Sequence, residues 1–102
     1  MNHSFNEINE ALYGWAKDRN IISPNNSSKQ LIKLGEEVGE LCSAHLKGDK
    51  EKEIDSIGDV LVVLAIYCHQ NNLTIVDCFN SAWNEIKDRK GRTENGTFIK
   101  AL

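Results

Sequence analysis

Five acidic side chains on two predicted helices have the spacing needed to bind a divalent cation. Glu36, Glu37 and Glu40 occupy an arc of about 100° on one helix, since successive residues are about 100° apart. Asp55 and Asp59 are four positions apart, which places them on one face of the next helix. Carboxylates this crowded repel one another unless a cation or a bound proton lies between them. Because they are hard oxygen ligands, Mg²⁺ or Mn²⁺ suits them better than zinc.

A solvated helix face is the alternative interpretation of these acidic residues. On a surface helix a like-charged i,i+4 pair costs only a few tenths of a kcal/mol, so the spacing alone does not decide. Asp59, however, leads directly into VLVVLAIYC, the longest apolar run of the chain, and charged residues are almost never buried without a partner. Gly39 and Gly58 lie beside Glu40 and Asp59, although glycine inside a helix costs about 1 kcal/mol relative to alanine. We therefore predict that small residues let the two helices approach and share an ion.

Four predicted helices position these residues. Apolar residues recur at helical spacing in four segments, which are residues 4–20, 28–47, 51–71 and 74–90. Ser4 and Thr74 are expected to begin capping boxes and Ser27 to cap the second helix. Gly91 is expected to end the fourth helix, and the ENG turn signal predicts a short extended or hairpin-like tail. Short connections imply antiparallel neighbours, so we predict an all-α, four-helix bundle-like single domain over residues 1–102.

A local basic cluster lies at the C-terminal end of the last predicted helix. Asn84 and Lys87 share a stripe of that helix away from its apolar face, and Arg89 and Lys90 come next. Basic groups at a helix C-terminus also complement the helix dipole, which is the alternative interpretation. In a chain of net charge -3, a local basic cluster beside a cation site is suited to binding a polyphosphate.

Composition argues against several other classes of protein. A chain of 102 residues has room for one core of ordinary size, and its net charge of -3 gives no electrostatic argument for nucleic-acid or membrane binding. The longest apolar run is far shorter than the roughly 20 residues that span a bilayer, and the N-terminus lacks the apolar segment of a signal peptide. Cys42, Cys68 and Cys78 share no CxxC spacing, which favours small buried hydrophobes in a reducing cytoplasm.

Three sequence blocks in this order resemble the MazG-like nucleotide pyrophosphohydrolases in their short, single-domain form. The blocks are EEVGEL, DSIGDVLVVL and AWNEIKDRKGR with NGTFIK, and the likeness covers roughly residues 12–100. The resemblance implies the all-α NTP pyrophosphatase fold and oligomers built on a helical dimer core. It also implies Mg²⁺-dependent cleavage of a nucleoside triphosphate to the monophosphate and pyrophosphate.

The family motifs map onto the acidic residues with one departure. The first motif is two adjacent Glu, two variable residues and a further Glu; its residues here are Glu36, Glu37 and Glu40. The resemblance assigns Glu37 and Glu40 to metal coordination. The second motif is an acidic residue three positions before an Asp; Asp59 matches the Asp, but Ser56 stands at the earlier position. Asp55 is the expected substitute, since i and i+4 share a helix face.

The resemblance and the spacing together give a mechanistic hypothesis. The expected catalytic residues are Glu36, Glu37, Glu40 and Asp59, and the expected ligands of one or two Mg²⁺ ions, or of Mn²⁺ in their place, are Glu37, Glu40, Asp55 and Asp59. Glu36 or a neighbouring carboxylate would orient or deprotonate the water that attacks the α-phosphorus. The expected substrate-binding residues are Asn84, Lys87, Arg89, Lys90 and Trp15. Trp15 is a candidate for stacking on a base, with core or interface packing as its alternative.

Three functional hypotheses follow. The first is a cytoplasmic nucleoside triphosphate pyrophosphohydrolase that controls nucleotide pools, with neither nucleic acid nor membrane as a partner. The second is an enzyme like phosphoribosyl-ATP pyrophosphohydrolase, which cleaves the same type of bond. The third is a non-enzymatic helical module for dimerisation or binding, favoured by the departure at Ser56. Because four short helices make a thin core, we also expect a homo-oligomer, either a dimer or a tetramer.

Overall fold

Four helices followed by a β-hairpin make up the computed structural model, which describes residues 2–102. The helices are α1 (Phe5–Asp18), α2 (Ser27–Lys47), α3 (Lys50–Gln70) and α4 (Ile75–Ile86), with a 3₁₀ turn (Pro24–Asn26) before α2. The strands are β1 (Gly91–Glu94) and β2 (Thr97–Lys100), which pair antiparallel. The predicted all-α class with a short extended tail is confirmed.

The predicted helix caps are right for α1 and wrong for α2; for α4 the N-cap residue is right, but the predicted capping box is absent. The Glu7 N–H donates to Ser4 Oγ at 3.1 Å, and the Ser4 N–H donates to Glu7 Oε1 at 2.9 Å, which completes the capping box of α1. Ser27 is the first residue of α2 rather than its cap, because the 3₁₀ turn runs directly into the helix and the Ser27 hydroxyl donates to the Pro24 carbonyl. Thr74 has an extended backbone before α4, but its side chain makes no capping hydrogen bond.

Helices α2 and α3 form an antiparallel pair because their connection is very short. Gly48 ends α2 in the left-handed region with φ 67°, and the Asp49 side chain accepts a hydrogen bond from the Lys52 N–H at 3.1 Å to begin α3. Helix α1 packs on α3. The buried apolar side chains are Ala16, Ala44, Val63, Ala65, Ile66 and Cys68. Cys42 and Cys78 are exposed, so the expectation of a buried cysteine is right only for Cys68.

Helix α4 turns away from this three-helix unit. Its axis makes an angle of 104° with that of α3, and every residue from Asp77 onward is exposed. The apolar stripe predicted to pack inside the domain is instead open, with Phe79 76 % and Trp83 54 % exposed. The stripe periodicity is correct, but nothing in the described part of the chain covers it.

The hairpin after α4 explains why the last helix is shorter than predicted. Helix α4 ends at Ile86, and Gly91 begins β1 rather than ending the helix. A Cβ at Gly91 would collide with the Ile99 carbonyl oxygen and the Phe98 ring, so the close pairing of the strands requires glycine there. The predicted turn is confirmed: Asn95 and Gly96 have φ of 50° and 78°, as a two-residue hairpin turn requires.

Among residues 2–102, no single helix is long and apolar enough to cross a membrane; α3 and α4 reach that length and composition only as a bent pair.

Candidate functional site

Three of the predicted metal ligands meet where α2 and α3 face each other. One carboxylate oxygen from each of Glu37, Glu40 and Asp59 lies within 4.8 Å of the other two. Glu37 and Glu40 are neighbours one turn apart on α2, and the short connection at Gly48 folds α3 back so that Asp59 lies opposite them. No other group of three His, Cys, Asp or Glu side chains in residues 2–102 approaches so closely. We call these three side chains the carboxylate cluster.

Burial and charge make the carboxylate cluster suited to a cation. The Glu37 side chain is only 12 % exposed, and its Oε2 is buried without a hydrogen-bond partner in the described residues. Burial raises the pKa of the Glu37 carboxyl, and the neighbouring Glu40 and Asp59 carboxylates raise it further. Lys33 opposes these effects with its Nζ 3.8 Å from Glu37 Oε1. A buried oxygen without a partner, beside two further carboxylates, fits Mg²⁺ or Mn²⁺.

Asp55, the fourth predicted ligand, lies outside the carboxylate cluster and is exposed. Ser56 and Val63 are seven positions apart on α3 and share its buried stripe. Asp55 is about 100° away from Ser56 around the helix axis, so the Asp55 side chain is exposed to solvent. Asp59 lies at an angle between those of Asp55 and Ser56 and is partly buried. The structure therefore brings Asp59, but not Asp55, together with the glutamates.

The other residues predicted near the metal are placed as follows. Glu36 is exposed on α2 beside Glu37 and is not a member of the carboxylate cluster. The prediction that Gly39 and Gly58 let the helices approach is wrong, because a Cβ at either position would meet nothing within 4 Å. The small side chains that are buried between the helices are those of Ala44 and Ser56.

A cleft of about 320 Å³ opens beside the carboxylate cluster, between α1, the 3₁₀ turn, α2 and α3. Trp15 lines it, and the Arg19 guanidinium lies over the Trp15 ring at 4.3 Å from the ring centroid. Lys33 lines it as well and also pairs with Glu37, so this side chain connects the cleft with the carboxylate cluster. The rest of the lining is Asn20, Ile21, Asn26, Lys29, Gln30, Val62, Val63 and Ile66.

Sequence reasoning did not identify Asn20, Asn26, Lys29 or Gln30 as part of a site. A signal was present, because Lys29, Lys33 and Glu37 follow one another at i,i+4 spacing and therefore occupy one face of α2. The amide side chains of Asn20 and Asn26 come from the connection between α1 and α2. No periodicity in the sequence predicts that this connection folds against α3.

The predicted substrate-binding residues near α4 do not line the cleft. Asn84, Lys87 and Lys90 are exposed, and the Arg89 guanidinium lies 3.4 Å from Glu85 Oε1 on α4 itself. No ion pair or hydrogen bond in residues 2–102 joins these four side chains to α2. Of the five predicted substrate-binding residues, only Trp15 lines the cleft.

The chain matches the family model described as phosphoribosyl-ATP pyrophosphohydrolase over residues 6–89. It belongs to this family, which is part of the all-α NTP pyrophosphatase (MazG-like) superfamily, and the resemblance seen in the sequence is confirmed. In coarse terms the family implies a pyrophosphohydrolase, a hydrolase that acts on acid anhydrides.

A curated relative comes from a phage. The chain is 47 % identical over 62 residues to the "Uncharacterized 18.2 kDa protein in rep-hol intergenic region" of Haemophilus phage HP1. This match covers 61 % of the chain and 38 % of the phage protein, so the chain spans little more than a third of that relative's length. No solved structure matches the chain.

Proposed function

We propose that the protein is a Mg²⁺-dependent pyrophosphohydrolase that cleaves the bond between the α- and β-phosphates of a nucleoside triphosphate, releasing the monophosphate and pyrophosphate. The observation that carries this proposal is the approach of the Glu37, Glu40 and Asp59 carboxylate oxygens to within 4.8 Å. Membership of a pyrophosphohydrolase family supports the hydrolysis of an anhydride bond. Control of nucleotide pools is the corresponding role.

The carboxylate cluster would hold the cation, with Mn²⁺ as a substitute for Mg²⁺. When bound, the cation would supply Lewis acidity at the α-phosphate and neutralise phosphate charge. Glu36, exposed beside Glu37, would orient or deprotonate the attacking water. Lys33, 3.8 Å from Glu37, would stand between the carboxylates and the cleft, where it is placed to bind phosphate oxygens.

The cleft beside the carboxylate cluster would hold the nucleoside. Its volume of about 320 Å³ is in the range of small-molecule sites. Trp15 supplies an aromatic face on which a base can stack, and the amide groups of Asn20, Asn26 and Gln30 supply donors and acceptors for its edge. The triphosphate would then extend past Lys33 toward the carboxylates.

A second candidate substrate is phosphoribosyl-ATP, which the family match favours. The bond cleaved is of the same type, but the base carries an additional ribosyl phosphate. This substrate needs a further cation at the base end of the cleft. Arg19, over the Trp15 ring at 4.3 Å, is a cationic group at that end.

We also propose that the protein is a homo-oligomer. Its accessible surface is 7983 Å², whereas a compact monomer of 11.5 kDa exposes about 5,800 Å². The radius of gyration is 16.3 Å, compared with about 13 Å for a compact domain of this length. The additional surface of about 2,200 Å² exceeds the roughly 800 Å² that each partner buries in a standard interface.

Exposed apolar side chains indicate where the second copy would bind. Phe79 and Trp83 on α4, and Ile54 and Ile57 on α3, are 46–76 % exposed. In such an oligomer the polar and basic block at the C-terminal end of α4 would be available to the cleft of a neighbouring copy, since no member of this block lines the cleft of its own chain. This is the role we propose for the block, whose members are Asn84, Lys87, Arg89 and Lys90. A cytoplasmic location, with neither nucleic acid nor membrane as a partner, agrees with the three free cysteines and the net charge of -3.

The test is a panel of substrates assayed with Mg²⁺. It would contain canonical and modified ribo- and deoxyribonucleoside triphosphates together with phosphoribosyl-ATP, and the monophosphate, pyrophosphate and orthophosphate products would be quantified separately. We expect equimolar monophosphate and pyrophosphate, lost in Glu40→Gln and kept in Glu51→Gln, whose carboxylate lies outside the cluster. Orthophosphate as the sole product would refute cleavage between the α- and β-phosphates. No turnover of any substrate would favour the non-enzymatic module.

A further inference from the structure

Ser56 is fully buried, with a relative exposure of 0 %, and its hydroxyl has no hydrogen-bond partner within residues 2–102. A serine inside a helix ordinarily donates to the carbonyl four residues earlier, and buried polar atoms are nearly always paired. An unpaired buried hydroxyl therefore points to a group that lies outside the polypeptide, such as a water or an ion.

The position of Ser56 identifies that group. Ser56 lies one turn before Asp59, so the Cβ atoms of the two residues are about 5–6 Å apart. Across the helix pair, Glu37 Oε2 is also buried without a partner, and Glu37 belongs to the carboxylate cluster with Asp59. Of these two unpartnered oxygens, one thus belongs to a member of the carboxylate cluster and the other to a residue one turn from a member. The third such atom in the described residues, Gln70 Oε1, lies 14 positions further along α3, about 21 Å away.

Three observations distinguish Ser56 from the alternatives on α3. Asp55 is exposed and Ser56 is fully buried, so of the two only Ser56 lies on the packed side of α3. The hydroxyl is neutral, so it adds a donor and an acceptor without adding to the repulsion among the carboxylates. Its side chain is also shorter than the aspartate side chain at position 55.

We propose that Ser56 is a positioning residue of the cation site, and that its hydroxyl hydrogen-bonds a water molecule in the coordination shell of the divalent cation bound by Glu37, Glu40 and Asp59. The hydroxyl takes the place of a fourth carboxylate on the inner side of the site. This inference rests on the proposed function, because it presupposes a cation in the carboxylate cluster.

The test compares wild type and Ser56→Ala in two measurements: thermal unfolding in EDTA, and Mn²⁺ binding by calorimetry without nucleotide. Because the hydroxyl has no partner in the protein, its removal should leave the metal-free Tm unchanged or higher. The Kd for Mn²⁺ should rise about 10-fold or more, as it does when groups that orient a metal's ligands are removed. A purely structural serine gives the opposite pattern, a lower metal-free Tm with an unchanged Kd, and that result would overturn the proposal.

Two further variants separate this proposal from the proposed function. Cys68→Ala alters another buried side chain of α3, nine positions beyond Asp59, and should lower the Tm without changing the Kd for Mn²⁺. Glu40→Gln should weaken Mn²⁺ binding more than Ser56→Ala does. If wild type binds Mn²⁺ and Ser56→Ala binds it equally well, the role of Ser56 is refuted while the cation site stands. If wild type does not bind Mn²⁺, both fail.

Discussion

Replacing Glu37 with glutamine is expected to change the metal-free and the metal-bound protein in opposite directions. Glu37 is half-buried beside the exposed Glu40 and the half-buried Asp59, and its pKa in the folded protein is raised above the ordinary value of 4.5 by partial burial and by these two carboxylates. Such a group contributes stability below pH 4.5 that is lost as the pH rises through the folded-state pKa. At pH 7 the ionised carboxylate therefore destabilises the metal-free fold. Glutamine has nearly the same shape without the charge, so Glu37→Gln should raise the Tm in EDTA.

With the cation present the order of the two proteins should reverse. The carboxylate cluster and Lys33 together carry a charge of about -2, three carboxylates against one ammonium, which one divalent ion balances. At 100 times its Kd, a ligand stabilises the fold by about 2.7 kcal/mol. For a domain of about 100 residues this corresponds to an increase in Tm of about 10 °C or more. Glu37→Gln loses a ligand and should lose most of this increase.

The assay is thermal unfolding of wild type and Glu37→Gln at pH 7 and pH 5, each in EDTA and in excess Mn²⁺. In EDTA, the advantage of the variant should shrink at pH 5, because the wild-type carboxyl is then more protonated. Glu10→Gln, which removes an exposed carboxylate on α1, is the control and should change neither series. A Glu37→Gln variant that is less stable than wild type in EDTA, yet gains the full Mn²⁺ increase, would refute both the electrostatic argument and the ligand assignment.

The remaining predictions concern turnover, the base and assembly. Glu40→Gln should abolish turnover while the helical circular dichroism spectrum is unchanged; full activity would disprove its assignment. Trp15→Ala should raise KM about tenfold or more with a small change in kcat, because stacking on a base contributes about 1–3 kcal/mol far from the reacting bond. Trp15→Phe should retain most of the affinity. Equal KM values for the two variants would argue against stacking. Phe79→Ser with Trp83→Ser should lower the mass measured by light scattering, whereas an unchanged mass would exclude the α4 face as the interface.

Local signals were sufficient for α1 to α3 and for most of the carboxylate cluster. The capping box at Ser4 begins α1, and the short turn at Gly48 ends α2 and leads into α3; each of these signals acts within a few residues. Given those boundaries, the helical period places Glu37 and Glu40 on one face of α2, and the antiparallel connection brings Asp59 opposite them. The prediction succeeded because every step depended on neighbours in sequence.

The orientation of α4 could not be predicted from such local signals. Its apolar stripe is regular, but periodicity shows only that a face is apolar, not which surface covers it. A stripe that packs within the chain and one that packs on a second copy have the same sequence pattern. Phe79 and Trp83 belong to this stripe and are exposed. For the same reason the sequence predicted that Asn84, Lys87, Arg89 and Lys90 form one block. It did not predict how far this block lies from the carboxylate cluster of the same chain.

Ser56 shows how a departure from a motif becomes informative once burial is known. From sequence, the missing carboxylate suggested a weakened site and directed attention to Asp55, since both Asp55 and Ser56 are within a turn of Asp59. The two candidates differ by about 100° around α3, and only the packing of α3 against α2 decides which of them faces inward. Ser56 does, with its hydroxyl unpaired. If Ser56 only filled space at the position of a lost ligand, a buried alanine would pack equally well and would leave no polar group unpaired. The unpaired hydroxyl is therefore an argument for a retained cation site with an altered ligand shell, and against a binding module derived from a lost one.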